Sequence, residues 1–156
     1  MSAQLMDGKA LAAQKKAAIR AEVERLARTP GLAVVLVGEN PASQIYVRGK
    51  ARDCEECGIR CMDFRLPAQT TESELLTLIA ELNGRADVDG ILVQLPLPEG
   101  IRERRVLEAI APEKDVDAFH PENVGRLVQG QARYLPCTPA GVMELLRAAG
   151  VDPAGR

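Results

Sequence analysis

Residues 32–50 read LAVVLVGENPASQIYVRGK, and the fold turns on how the two halves of that stretch join. Residues 32–37 are an unbroken apolar run, β-branched in part, the pattern of a strand buried on both faces. After Gly38 the chain turns at Asn40-Pro41, and the spacing predicts a helix over 41–57, stopped by Gly58. A buried strand that runs through a short polar turn into a helix is the opening of an α/β unit. Tyr46 and Lys50 stand four residues apart, so they share one face of that helix.

Working outward, the same alternation repeats. Asp7-Gly8 opens a long helical stretch with Leu11, Ile19, Val23 and Leu26 as its apolar stripe, closed at Thr29-Pro30. Residues 60–66 form a weaker strand with Met62, Phe64 and Leu66 on one face. Thr71 and Glu74 make a capping-box pattern ahead of LLTLIAEL, and Asn83-Gly84 ends that helix. Residues 90–95 are a second fully apolar strand. Strands alternating with helices predict right-handed crossovers and a mostly parallel sheet, an α/β/α sandwich of three layers. Beyond Pro96 a short helix is expected over 104–111 and a last one over 139–149. Between them, PEKDVDAFHPENVGR is too polar and turn-rich for a core element.

Bulk composition excludes several functions. The chain has 156 residues, enough for one domain with a real core. Its formal net charge of -2 gives no basic footprint for a phosphate backbone, so nucleic acid is not the expected partner. No stretch is apolar enough for a membrane span, and the N-terminus lacks a signal-peptide pattern, so a cytoplasmic protein is expected. Aromatic residues make up only 3%, which leaves Leu, Val, Ile and Ala to fill the core. Four cysteines are present: Cys54, Cys57, Cys61 and Cys137. The pair in CEEC invites a metal or redox role. It falls late in the predicted helix, away from the N-terminus that would lower a thiol pKa, and no second close pair completes a tetrahedral site. Reduced, metal-free cysteines are therefore expected.

In an open parallel sheet, ligands bind at the carboxyl ends of the strands. The turn after the first strand leads to Tyr46 and Lys50. VQLPLP puts Gln94 at the carboxyl end of the strand over 90–95, and the KDVD loop delivers Asp117 to the same rim. Lysine, tyrosine, glutamine and aspartate on one cleft form an acid/base and amide-recognition set. Each also has an ordinary explanation. A helical lysine is usually solvated, and a tyrosine is usually a packed ring with a wet hydroxyl. Gln94 is harder to dismiss, because an unpaired amide interrupting an apolar strand costs about 1–3 kcal/mol. The aspartates of KDVDAFHPENVGR suggest a calcium loop, but the oxygen spacing and glycine of an EF-hand are lacking. Tyr-x-x-x-Lys also occurs in short-chain reductases. That fold needs a glycine-rich dinucleotide turn after the first strand, and VGENPAS does not supply one.

Taken together and in this order, VGENPASQIYVRGK, DGILVQLPLP, PEKDVDAFHPENVGRL and PCTPAGVMELL closely resemble the bifunctional methylenetetrahydrofolate dehydrogenase/methenyltetrahydrofolate cyclohydrolase (FolD) family. The resemblance runs from the first helix to about Gly150. It implies two steps of one-carbon folate metabolism: NADP-dependent oxidation of methylenetetrahydrofolate, then hydrolysis of the methenyl product to formyltetrahydrofolate, a supply for purine biosynthesis. By motif match, Lys50 takes the catalytic lysine role, Tyr46 packs against the folate, and Gln94 hydrogen-bonds the lysine. Asp117 binds the pterin nitrogens, and Val93 and Leu95 line the substrate beside Gln94. Thr138 is the candidate cofactor contact within this chain. No metal is implied, and the family commonly dimerises.

Two departures stand out. The family usually has glycine after the second aspartate of KDVD, where this chain has Ala118, and a positive φ there disfavours alanine. The chain also reaches VDPAGR where the family begins its dinucleotide-binding domain. The resemblance therefore implies a tetrahydrofolate-binding catalytic domain over 1–150, with 151–156 starting a linker. The alternatives for these residues alone are a folate-binding module without dehydrogenase activity, or a piece whose site orders only with its partner domain.

Overall fold

The computed structural model describes residues 5–155. The apolar run forms β1 (Gly31–Val37), the central strand of a sheet. It pairs in parallel with β2 (Arg60–Leu66) on one side and β3 (Gly90–Val93) on the other. The register sets Val35 opposite both Phe64 and Val93. Position in the sheet accounts for the sequence of each strand. Central β1 has helices against both faces, and Ala33 through Val37 are all buried. Edge strand β2 alternates, with Met62, Phe64 and Leu66 half-buried and Arg60, Asp63 and Arg65 exposed.

Helices cover the two faces unequally. Ala33, Val35, Val37, Ile91 and Val93 pack with Leu75, Ile79 and Leu82 of α3 (Glu72–Gly84) and Val106 of α4 (Glu103–Ala109). This is the main core, where truncating Leu75 or Ile79 to alanine costs about 2–5 kcal/mol. On the opposite face a smaller cluster joins Val34, Leu36 and Leu92 to Val47 of α2 (Pro41–Cys57). Further out, α1 (Gly8–Val23) lies against α2 and against α6 (Cys137–Ala148). The result is the expected α/β/α sandwich on a parallel sheet.

Local signals set the boundaries of α2 and α3. Asn40 Oδ1 accepts from the Ser43 N–H at 3.1 Å, and Pro41 occupies the first turn, where a missing N–H is harmless. Gly58 closes α2 at φ 75, a left-handed conformation that returns its N–H to the last carbonyls. Thr71 and Glu74 form a reciprocal capping box at the start of α3.

Three expectations are corrected. The first helix stops at Val23 rather than near Thr29, and Leu26 is exposed, so the end of the supposed stripe has nothing to pack against. The strand over 90–95 ends at Val93. The Gln94 N–H still donates to the Val35 carbonyl at 2.8 Å, but Pro96, with no N–H, takes the chain out of the ladder. The largest correction lies in the polar segment. Residues Pro121–Val128 form a helix, α5, with His120 as N-cap, Pro121 in its first turn and Asn123 fully buried beneath it. Its interior face is held by the hydrogen bonds of Asn123, while the apolar residues that repeat at helical spacing, Val124, Leu127 and Val128, lie largely on its outer side, so the polar, turn-rich composition hides a helix whose periodicity is present.

Candidate functional site

A cleft of about 1020 Å³ opens between α2, the end of β3, the loop after Asp115 and the start of α6. Tyr46, Lys50, Val93, Gln94, Leu95, Asp117 and Thr138 all line it. The sequence-based set therefore converges. The cleft also runs further than the rim of the sheet, reaching Leu32 and Ile59 along the less covered face. Cys54 and Cys57 follow Tyr46 and Lys50 on the same helical face and line that apolar end. Burial, above all, pushes the Cys54 thiol up to about 11, the reverse of an activated nucleophile. Among the described residues no three His, Cys, Asp or Glu side chains cluster closely enough to hold a metal ion.

Gln94 links the polar groups of the cleft. Its Nε2 donates to the Leu95 carbonyl at 2.7 Å, which turns Oε1 towards the Lys50 ammonium at 3.3 Å. Lys50 is half-buried, and among the described residues no carboxylate lies within 4 Å of its Nζ. Its amine is thus held by a neutral amide and not neutralised by an acid. Asp117 faces the same space. Burial pushes its carboxyl above the ordinary value, the Lys50 charge pulls it part of the way back, and the Asp115 carboxylate adds to the upward push. Cys137 Sγ lies 4.0 Å from Asp117 Oδ1. Tyr46 is 66% exposed and stands at the mouth of the cleft.

The two acids of KDVD do different work. Asp115 is buried, where its Oδ2 accepts from the His120 N–H at 2.8 Å and from Asn123 Nδ2 at 2.9 Å. Asn123 Nδ2 also donates to the Pro112 carbonyl at 2.8 Å. Lys114 reaches the end of α3 and donates to the carbonyls of Leu82, Asn83 and Arg85. Its own carbonyl accepts from the Ile91 N–H at 2.7 Å, and Asp115 bridges Ile91 in parallel, so the segment lies along the free edge of β3. Ala118 adopts φ 57, so the chain keeps the left-handed turn without glycine. Sequence reasoning missed Lys114, Asp115, Asn123 and Gly90 as supports of this loop. Glycine inside a strand was the one available signal, since it often marks a close backbone approach.

A parallel α/β sheet with an amine, an amide and a carboxylate around a roomy cleft defines a small-molecule-binding protein of the open-sheet class. Comparison with known proteins places it more narrowly. The chain belongs to the tetrahydrofolate dehydrogenase/cyclohydrolase family, whose catalytic-domain model matches residues 6–117. It is 59% identical to a bifunctional protein FolD of Nitratidesulfovibrio vulgaris over 97% of this chain and 54% of that protein. Among solved structures it resembles the Campylobacter jejuni bifunctional FolD, with a TM-score of 0.93 and 50% identity over 96% of this chain and 54% of that one. It also resembles the Trypanosoma brucei FolD, solved with NADP and an inhibitor, with a TM-score of 0.93 and 37% identity over 100% of this chain and 55% of that one. The chain thus spans about half the length of the relatives it matches.

Proposed function

We propose that these residues form the folate-binding catalytic domain of a bifunctional enzyme, a methylenetetrahydrofolate dehydrogenase and methenyltetrahydrofolate cyclohydrolase. The observation that carries it is Lys50 on the Gln94 amide, with Asp117 and Tyr46 on the same cleft. In this reading the amino-pyrimidinone edge of the pterin donates paired N–H groups to the Asp117 carboxylate. The aromatic ring that follows the pterin lies on Tyr46, while Val93 and Leu95 flank the substrate. Water adds to the methenyl carbon, and one of its two protons passes to the neutral Lys50 amine and on to solvent, which leaves a neutral adduct. Lys50 then carries the proton from the added oxygen to the departing ring nitrogen, and the ring opens to the formyl product. Gln94 keeps the amine aimed without quenching it. The positive charge of the bound methenyl substrate favours the neutral amine that can accept a proton.

Oxidation of the methylene group needs a hydride acceptor, which we take to be NADP, as bound by the Trypanosoma brucei relative. The residues present do not fit its phosphates. The turn after β1 reads VGENPAS, and β3 leads into QLPLP, so neither strand ends in a glycine-rich phosphate turn. We therefore assign NADP mainly to residues beyond these 156, with Thr138 as a contact from this side, and derive no hydride step here. That observation also favours a second reading for these residues taken alone, a folate-binding module that moves no hydride. As part of the bifunctional enzyme, the protein would act in the cytoplasm as a homodimer feeding purine biosynthesis. Incubating the purified protein with methenyltetrahydrofolate tests the proposal. Hydrolysis to the formyl product well above the buffer rate is expected, and no hydrolysis together with no folate binding would refute it.

A further inference from the structure

We infer that Gly90 is a positioning residue for Asp117, acting through Val116. This rests on the folate site proposed above, and adds to it a residue that touches neither the substrate nor the reacting atoms.

Gly90 opens β3, a strand buried at every position, where glycine has no conformational advantage and weakens the element. Its φ is not left-handed, so backbone freedom does not explain it. Space does. A Cβ at this position would sit 2.5 Å from Val116 Cγ1 and 3.2 Å from Leu32 Cδ1. The first distance is well inside any real carbon–carbon contact, and the second needs only a small movement at the end of a flexible side chain.

Val116 cannot simply swing aside. A β-branched side chain has few rotamers, and its neighbours are tied down on both sides. Lys114 and Asp115 are joined to Ile91, and Asp115 is held from below by Asn123 and the His120 N–H. Asp117 is the next residue, and Ala118 is already at φ 57, so the turn has little freedom left to absorb a displacement. A Cβ at residue 90 would therefore move the peptide that carries Asp117, by about the 1 Å that is missing at Val116. Misplacement of that size in a binding group loses up to about 100-fold.

The experiment is a double-mutant cycle between residues 90 and 116, read as cyclohydrolase KM and kcat for methenyltetrahydrofolate in the polypeptide that carries these residues. Gly90→Ala should raise KM by about 10- to 100-fold while kcat changes by less than about threefold, because Lys50 and Gln94 are not disturbed. Val116→Ala removes the methyl that the new Cβ meets. In that background the same Gly90→Ala change should raise KM by less than about threefold. A merely structural glycine would lower thermal stability in both backgrounds and leave KM alone in the protein that folds. Equal KM penalties in both backgrounds, or a matching loss in kcat, would overturn the inference. If Gly90→Ala alone fails to fold, the double variant decides: a folded double variant with KM close to that of Val116→Ala supports the contact, and an unfolded one refutes it. Should the unaltered protein show no activity and no folate binding, the proposed function fails instead, and the two failures are distinguishable.

Discussion

Residues 31–58 and residues 114–128 both deliver side chains to the cleft, yet they are specified in opposite ways. The first region is built from near neighbours. An apolar run makes β1, Asn40 and Pro41 start α2, Gly58 ends it, and the i, i+4 spacing alone puts Tyr46 and Lys50 on one face. The second region is built from distant partners. Lys114 caps a helix that ends thirty residues earlier, Asp115 and Asn123 meet under a turn, and Gly90 makes room on a neighbouring strand. The first region carries the proposed proton carrier, the second the proposed folate anchor. Substitutions in the two should therefore fail differently.

The sharpest test of that contrast is Lys50→Met. It keeps the apolar stem and removes the amine, so cyclohydrolase activity should fall by about 10²–10⁴-fold, with folate still bound. Measuring turnover and binding on one preparation separates the roles, and unchanged turnover would remove Lys50 from the chemistry.

Asp117→Asn should act on binding instead. Losing a charged acceptor for two N–H donors weakens a folate analogue by about 1.5–3 kcal/mol, roughly 10- to 100-fold in Kd. The same change should slightly raise the melting temperature of the free protein at neutral pH. The folded Asp117 carboxyl sits above its ordinary value, so the folded state holds that proton more tightly than the unfolded chain. The stability it contributes is present at low pH and is lost as pH rises through the raised value. For the unaltered protein, folate affinity should fall on acidification from a pH above the usual aspartate range. A titration by fluorescence quenching reads both, and a pH-independent Kd would contradict the assignment.

Asn123→Leu takes two hydrogen bonds from beneath the loop and leaves Asp115 with one donor. A stability loss of about 1–3 kcal/mol in urea unfolding is expected, with a raised KM in the folded fraction. An unperturbed Kd in that variant would break the claim that distant partners set the second region.

The smallest effect belongs outside both regions. Glu72, on the first turn of α3, accepts from Arg102 and Arg105 of the α4 region, at 2.6 and 3.0 Å for the ion pairs. Hydrogen bonds from Arg102 lower its carboxyl to about 2. A depressed acid gives stability above its unfolded value, near 4.5, and loses it as pH falls towards 2. Glu72→Gln should flatten acid unfolding across that window, with a small loss of stability at pH 7 that vanishes as pH falls towards 2.

The same contrast explains what could be read from the sequence. Burial on both faces makes β1 a continuous apolar run, and the capping residues of α2 and α3 lie within four positions of what they cap. Those elements, and the cleft they frame, were legible. Helix α5 was not, because its Val124, Leu127 and Val128 repeat is short and set among polar and turn residues, and its buried side is Asn123 rather than an apolar residue. Lys50 and Asp117 were ordinary in isolation, whereas Gln94 stood out as an amide at the end of an apolar strand; strand-end placement put the three on one rim, and the four motifs in order gave them roles. Asp115 and Asp117 looked alike in the sequence, since burial of one and exposure of the other to the cleft depend on contacts made elsewhere.

Lys114 has one further consequence. Its side chain holds three carbonyls at the end of α3, and its main chain is bonded to β3. Opening that one residue breaks the helix end and the sheet edge at once. The tail of α3, the β3 edge and the anchor loop should therefore exchange amide hydrogens as a single cooperative unit, slower than α1 and faster than β1. A folate held by Asp117 would clamp that whole unit, so ligand protection should spread to amides of α3 that no ligand touches.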